Sequence, residues 1–178
     1  MHRRHSQPLP SLWLMTDEKM GEALLPSVSA LPKGSGVVFR HYGAANRRAL
    51  FIKVQRIARR RRLLLVLAGS GKEWIGWKAN GVHNRSAHKS GQLRTAPVHT
   101  IPERIAAERA GASLLFVSSV FPTSSHKDAR PLGFSGFGRI VRDAKCPVIA
   151  LGGMTAKRAR ALRPFRIYGW AAIDGLMV

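Results

Sequence analysis

The amino-acid sequence predicts an α/β protein built as a compact (β/α)8 TIM barrel. Three observations carry that reading. Eight short apolar runs recur along the chain, alternating with helical segments. The runs are continuously apolar rather than alternating, as in a parallel sheet covered on both faces. The stretch Leu114–Thr155 reads in order as strand, polar loop, amphipathic helix, strand and glycine loop, which is one complete βαβ unit. In such units ligands gather at the carboxyl ends of the strands, so the polar loop Thr123–Arg130 and the pair Gly152-Gly153 open on one face.

Each element has its own justification. Leu12–Met15 is the first strand, and Thr16, Asp17 and Glu18 behind it suit a helix start, with a helix over Glu22–Leu31 closed by Pro32 and Gly34. Val37–Arg40 is the second strand. Leu50, Val54, Ile57 and Ala58 share one face of a helix over Asn46–Arg61. Leu63–Ala68 is the third strand, and the connection Lys72–Asn80 has room for two helical turns. Gly81–His83 and Leu93–His99 are strands four and five, joined by the polar loop Asn84–Gln92. Pro102 opens a helix running to Ala110, with Gly111 at its end. The Leu114–Thr155 unit follows. Lys157–Leu162 is the last helix and Gly169–Ile173 the eighth strand, so the final helix of the barrel is short or missing. That open flank is one a second copy of the chain could cover.

Composition narrows the class. A chain of 178 residues with 45% hydrophobic content suffices for one globular domain. Residues 1–11 read as a basic solvated tail, too short in apolar core for a secretion signal, and residues 12–178 as the barrel domain. The longest apolar run, Leu63–Ala68, is far short of a membrane span. The single Cys146 excludes an internal disulfide framework, fits a cytoplasmic location and reads as core packing. The net charge of +21 suggests either phosphates, nucleic acid or a merely basic surface. Its densest cluster, Arg59–Arg62, ends a helix, where cations favour the dipole, and no aromatic residues interleave with it as base stacking needs. Nucleic acid is therefore not the expected partner.

With the eight units placed, the chain resembles the thiamine-phosphate synthase/TenI superfamily from Leu12 to Leu176. The likeness rests on VFPTSSHKDARPLG (Val120–Gly133) and PVIALGGMT (Pro147–Thr155). LWLMTD (Leu12–Asp17), GVH (Gly81–His83), VHTIPERIAAERAGA (Val98–Ala112) and YGWAAIDGL (Tyr168–Leu176) add to it. The resemblance implies a barrel in thiamine biosynthesis that joins a pyrimidine diphosphate to a thiazole phosphate with loss of pyrophosphate. Its TenI branch tautomerises the thiazole phosphate without metal. A third reading is a barrel that binds thiamine precursors without catalysis.

Carried over residue by residue, the family pattern is uneven. The second-strand motif Gln-x-Arg-x-Lys reads Val38, Arg40 and Tyr42 here, so the arginine alone is kept for phosphate. The resemblance implies Mg2+, yet Gly69 and Ser70 stand where the family has Asn-Asp, and His88 falls near the second carboxylate's place. Pro97 replaces a phosphate-binding serine. Thr123 and Ser125 keep the hydroxyls of the polar loop, His126 takes the usual lysine position and Lys127 follows it. Gly152, Gly153 and Gly175 are the remaining candidates for phosphate contact, and Asp174 stands for a serine.

Expulsion of pyrophosphate leaves a cationic carbon while charge builds on the departing phosphates, so cations must stabilise them. Arg40, Lys127 and a protonated His126 are the candidates here. Tautomerisation needs only a proton shuttle and a phosphate anchor. His99 matches the proposed acid–base histidine of the TenI branch, and a histidine titrating near neutrality suits that role. For His99 the competing reading is a strand-end histidine bonded to the next helix turn. For His126 it is a solvated loop residue. Thr123 and Ser125 either bind ligand or bond their own turn. His83, Trp74, Trp77 and Trp170 read as packing residues.

Overall fold

The computed structural model describes residues 8–69, 73–84, 93–123 and 130–178. Eight strands form one closed barrel: β1 (Leu12–Met15), β2 (Gly36–Phe39), β3 (Leu64–Ala68), β4 (Gly81–His83), β5 (Leu93–Val98), β6 (Leu114–Val117), β7 (Val148–Ala150) and β8 (Gly169–Ala172). Every neighbouring pair is parallel, and β8 returns to β1 with Trp170 beside Leu12 and Ala172 beside Leu14. Outside lie α1 (Leu24–Ala30), α2 (Arg47–Arg61), α3 (Glu73–Gly76), α4 (Ile101–Arg109), α5 (Gly133–Val141) and α6 (Ala156–Ala161). The chain is therefore a (β/α)8 TIM barrel. After β8 the chain makes a single 3-10 turn, Asp174–Leu176. No helix among the described residues is long and apolar enough to cross a membrane.

Strand pleating divides the core. Trp13, Met15, Val38, Val66, Ala68, Leu93, Leu114, Phe116, Ile149 and Ala171 fill the barrel interior. Their sequence neighbours Leu14, Val37, Phe39, Leu65 and Leu67 pack outward under α1 and α2. Leu115, Val117, Val148 and Ala150 do the same with α5. Alternation by two thus persists, with both faces apolar, which is why the strands look continuous in sequence. Trp13 plugs the interior, its ring edge-on to Phe116 at 5.4 Å and its Nε1 donating to the Pro10 carbonyl at 2.7 Å.

Helix ends follow local chemistry, with one departure. Thr100 and Thr155 accept from backbone N–H groups three residues on, capping α4 and α6. Arg59, Arg60 and Arg61 occupy the last turn of α2, where cations meet the negative dipole end. The first helical segment differs from the expected continuous helix over Glu22–Leu31. It begins as a 3-10 stretch, Glu18–Ala23, kinked at Gly21 with φ +48°, and becomes α1 only at Leu24. The Asp17 side chain caps that earlier start. Trp74 is buried and Trp77 is partly buried against the same cluster, so both pack. Cys146 is half-buried and bonded to the Ala112 carbonyl; burial and then the Glu108 carboxylate push its thiol pKa up, which leaves it a poor nucleophile.

Candidate active site

A cavity of about 670 Å3 opens at the carboxyl ends of the strands, and all eight contribute to its wall. Arg40, His99, Thr123, Gly152, Gly153 and Gly175 all line it, so six of the nine residues singled out from sequence converge there. Ser125, His126 and Lys127 lie outside the described residues.

His99 is fixed from two sides. The sequence Thr100-Ile-Pro-Glu103 makes a capping box at α4: the Thr100 hydroxyl accepts from Glu103 N–H at 3.3 Å, and the Glu103 carboxylate accepts from His99 N–H at 2.6 Å. The imidazole turns away from that helix. Its Nδ1 lies 2.8 Å from the Ser118 carbonyl oxygen, which only accepts, so Nδ1 carries the proton. In the neutral ring Nε2 then keeps its lone pair, the form a general base requires. The backbone of His99 bonds the next helix turn, and the residue lines the cavity.

His83 behaves otherwise. It is buried, Nδ1 lies 2.8 Å from the Thr95 hydroxyl, and the ring sits edge-on to Phe116 at 5.1 Å. Burial, helped by the Arg40 charge, pushes its pKa down to about 3. It is a neutral wall residue at any ordinary pH. His41 is buried too, stacked on Phe39 at 4.9 Å, and desolvation outweighs Glu18 and Asp17 in lowering its pKa.

The ends of β2 and β3 are tied off by two arginines. Arg40 donates to the Thr16 carbonyl at 2.8 Å and pairs with Asp17 at 2.6 Å while still lining the cavity. Arg47 was not singled out from sequence. From α2 it donates to the carbonyls of Arg40 at 3.0 Å and Ala68 at 2.5 Å, and it pairs with Glu73 at 3.0 Å. Its guanidinium also stacks against Trp77 at 5.3 Å and Tyr42 at 5.5 Å.

Ser70 and His88, which stand at the family's magnesium positions, lie outside the described residues, and the described residues around them do not fit Mg2+. Gly69 has no side chain to offer, and a Cβ built on it would lie 3.8 Å from Arg47 Nη2 and 3.9 Å from Glu73 Oε2, two groups already paired with each other at 3.0 Å. The nearby Asn84 Oδ1 is buried and, among the described residues, without a partner. One neutral oxygen falls well short of a hard-cation shell. Among the described residues no group of three His, Cys, Asp or Glu could hold a metal.

The opposite wall is made of loops that glycine permits. Gly152 has φ +93°, and a Cβ there would come within 2.7 Å of Ser119 Cα. Gly153 has φ +60°, and its Cβ would strike the Pro122 carbonyl oxygen. The pair therefore lets the β6 and β7 loops touch, whatever else its amides do. Arg158, in the first turn of α6, donates to the Gly153 carbonyl, lies over the Phe121 ring at 4.8 Å and lines the cavity. In sequence it looks like one more cation in a basic helix, and it was not singled out. Its signal was position: it falls five residues after Gly153, in the short helix that follows the glycine loop. Asp174 also lines the cavity, and its charge opposes any anion beside it.

The family described as thiamine monophosphate synthase matches residues 12–176. The chain is 39% identical over 82 residues to the thiamine-phosphate synthase of Pyrococcus furiosus, covering 46% of this chain and 40% of that one. It is 28% identical over 180 residues to a chain of Aquifex aeolicus provisionally named thiamine-phosphate synthase 2, covering 93% and 97%. In three of the first matches the aligned region spans only 40 to 56% of the relative's own length. Among solved structures, a thiamine phosphate pyrophosphorylase from Pyrococcus furiosus superimposes with a TM-score of 0.76 at 25% identity, covering 93% of this chain and 86% of that one.

Proposed function

The chain belongs to the thiamine monophosphate synthase family, and from that premise we propose that it is a thiamine-biosynthetic enzyme whose cavity takes phosphorylated thiazole and pyrimidine molecules. The reaction proposed first joins hydroxymethylpyrimidine diphosphate to thiazole phosphate. The thiazole nitrogen bonds to the pyrimidine methylene carbon as the carbon–oxygen bond breaks, and pyrophosphate leaves. The convergence of Arg40, Thr123, Gly152, Gly153 and His99 in one cavity carries this reading. Arg40 is proposed to face the leaving group, and Ser125, His126 and Lys127 are proposed as phosphate contacts. Gly175 and the glycine pair offer backbone N–H groups to the thiazole phosphate. Among the described residues, the ends of β2 and β3 offer Mg2+ no suitable set of oxygens.

A second reading has its own support. His99, with its proton held on Nδ1 by Ser118, suits the proton shuttle of a TenI-type tautomerase. A single assay of purified protein tests both readings. With both substrates, the expected product is thiamine phosphate together with an equal amount of pyrophosphate. Saturable thiazole phosphate binding with no coupled product would overturn the synthase reading. In the tautomerase assay, His99→Ala should slow exchange of the thiazole-ring proton with solvent by roughly 100-fold or more. An unchanged exchange rate would remove His99 from the chemistry.

A further inference from the structure

We infer that Arg158 is the specificity residue by which this chain distinguishes a phosphorylated ligand from its dephosphorylated alcohol; this rests on the reading of the cavity given above. Three observations carry it. The guanidinium lines the cavity on the wall formed by the β6 and β7 loops, away from the arginines that tie off β2 and β3. It is held in place from two directions, by the Gly153 carbonyl and by the face of Phe121 at 4.8 Å. A guanidinium has five N–H donors in a fixed plane, and one bond to Gly153 leaves a fork for anionic oxygens. Pre-organisation matters because a free arginine loses rotamer entropy on binding, whereas one already clamped on a ring and a carbonyl has lost it on folding.

The surroundings fit the same ligand. Thr123 and Thr155 also line this wall, the Thr155 hydroxyl accepting from Arg158 N–H, and Gly152 and Gly153 add backbone amides without side chains of their own. Cation, hydroxyls and bare amides together make phosphate chemistry rather than carboxylate or sugar chemistry.

The test compares wild-type protein with Arg158→Ala and Arg158→Lys by calorimetric titration with three probes: thiazole phosphate, its dephosphorylated alcohol, and inorganic phosphate. Arg158→Ala should weaken thiazole phosphate by about tenfold or more and leave the alcohol within about twofold, because only the phosphate accepts charge-assisted hydrogen bonds from the guanidinium. Inorganic phosphate should compete with thiazole phosphate in the wild type and not in Arg158→Ala. Arg158→Lys should recover only part of the affinity, because a point charge lacks the fork and the stack. Equal weakening of phosphate and alcohol, or of neither, would overturn the proposal. So would a wild-type protein that binds no phosphate at all. Arg158-dependent binding of inorganic phosphate without binding of thiazole phosphate would instead uphold this inference and sink the thiamine reading.

Discussion

His83 shows how one buried residue sets a pH limit. Its imidazole is 6% exposed and stays neutral because burial, then the Arg40 charge, lowers its pKa to about 3. The unfolded chain restores the ordinary value near 6.5. Below pH 6.5 the unfolded state therefore takes up a proton that the folded state refuses. The stabilisation is complete above 6.5 and is lost as the pH falls toward 3, at up to about 1.4 kcal/mol per pH unit. Urea denaturation of wild type and His83→Gln between pH 7.5 and pH 4 checks this. The expected outcome is a gap between the two that narrows as the pH falls; a gap independent of pH would contradict it. His99 differs in kind because its ring remains open to the cavity.

At the scale of elements, the ends of β2, β3, α2 and α3 are drawn together by Arg47. Three strand-end and helix-end groups accept from it: the carbonyls of Arg40 and Ala68 and the carboxylate of Glu73. The Glu73 carboxylate is already spent on this ion pair, so a hard cation would have to compete with the Arg47 guanidinium for it. Addition of Mg2+ should therefore leave both the melting temperature and the thiazole phosphate affinity unchanged. A tenfold rise in affinity on adding Mg2+, reversed by chelation, would refute this. Arg47→Ala should destabilise the fold by about 1–3 kcal/mol in denaturant titration, because it strands those acceptors. The capping box at α4 works on the same scale. Thr100 and Glu103 are a sequence signature of a helix start, and here that start also fixes the backbone of His99.

At the scale of the whole molecule, charge imbalance is the dominant long-range term. Thirty Lys and Arg face nine Asp and Glu, a net charge of +21. With so few acids to pair the cations, self-repulsion outweighs the ion pairs that salt would weaken. Raising the ionic strength from 0.01 M to 0.5 M shortens the screening distance severalfold. The expected outcome is a melting temperature several degrees higher in the higher salt, measured by circular dichroism with chloride as the anion. A fall would show that specific ion pairs, not net charge, control stability.

The barrel was legible in the sequence because its information is local and repeated. Apolar runs, turn residues and helix caps such as Thr100, Thr155 and Gly111 each announce an element, and eight units in order leave few alternatives. Strand-end candidates such as Arg40, His99 and Gly152 were legible for the same reason: in parallel barrels the residue after a strand sits at the mouth. What chain order could not decide was which long side chains meet across units. Arg40 reaches back to Asp17, Arg47 reaches from α2 to Glu73 in the next connection, and Arg158 folds onto Phe121 from the unit before. Those choices depend on through-space distances between loops far apart in sequence, so one arginine-rich chain looks uniform until it closes. The sequence by itself determined the barrel and the face on which its cavity opens; tertiary structure alone decided which cations are spent on the fold and which line the cavity.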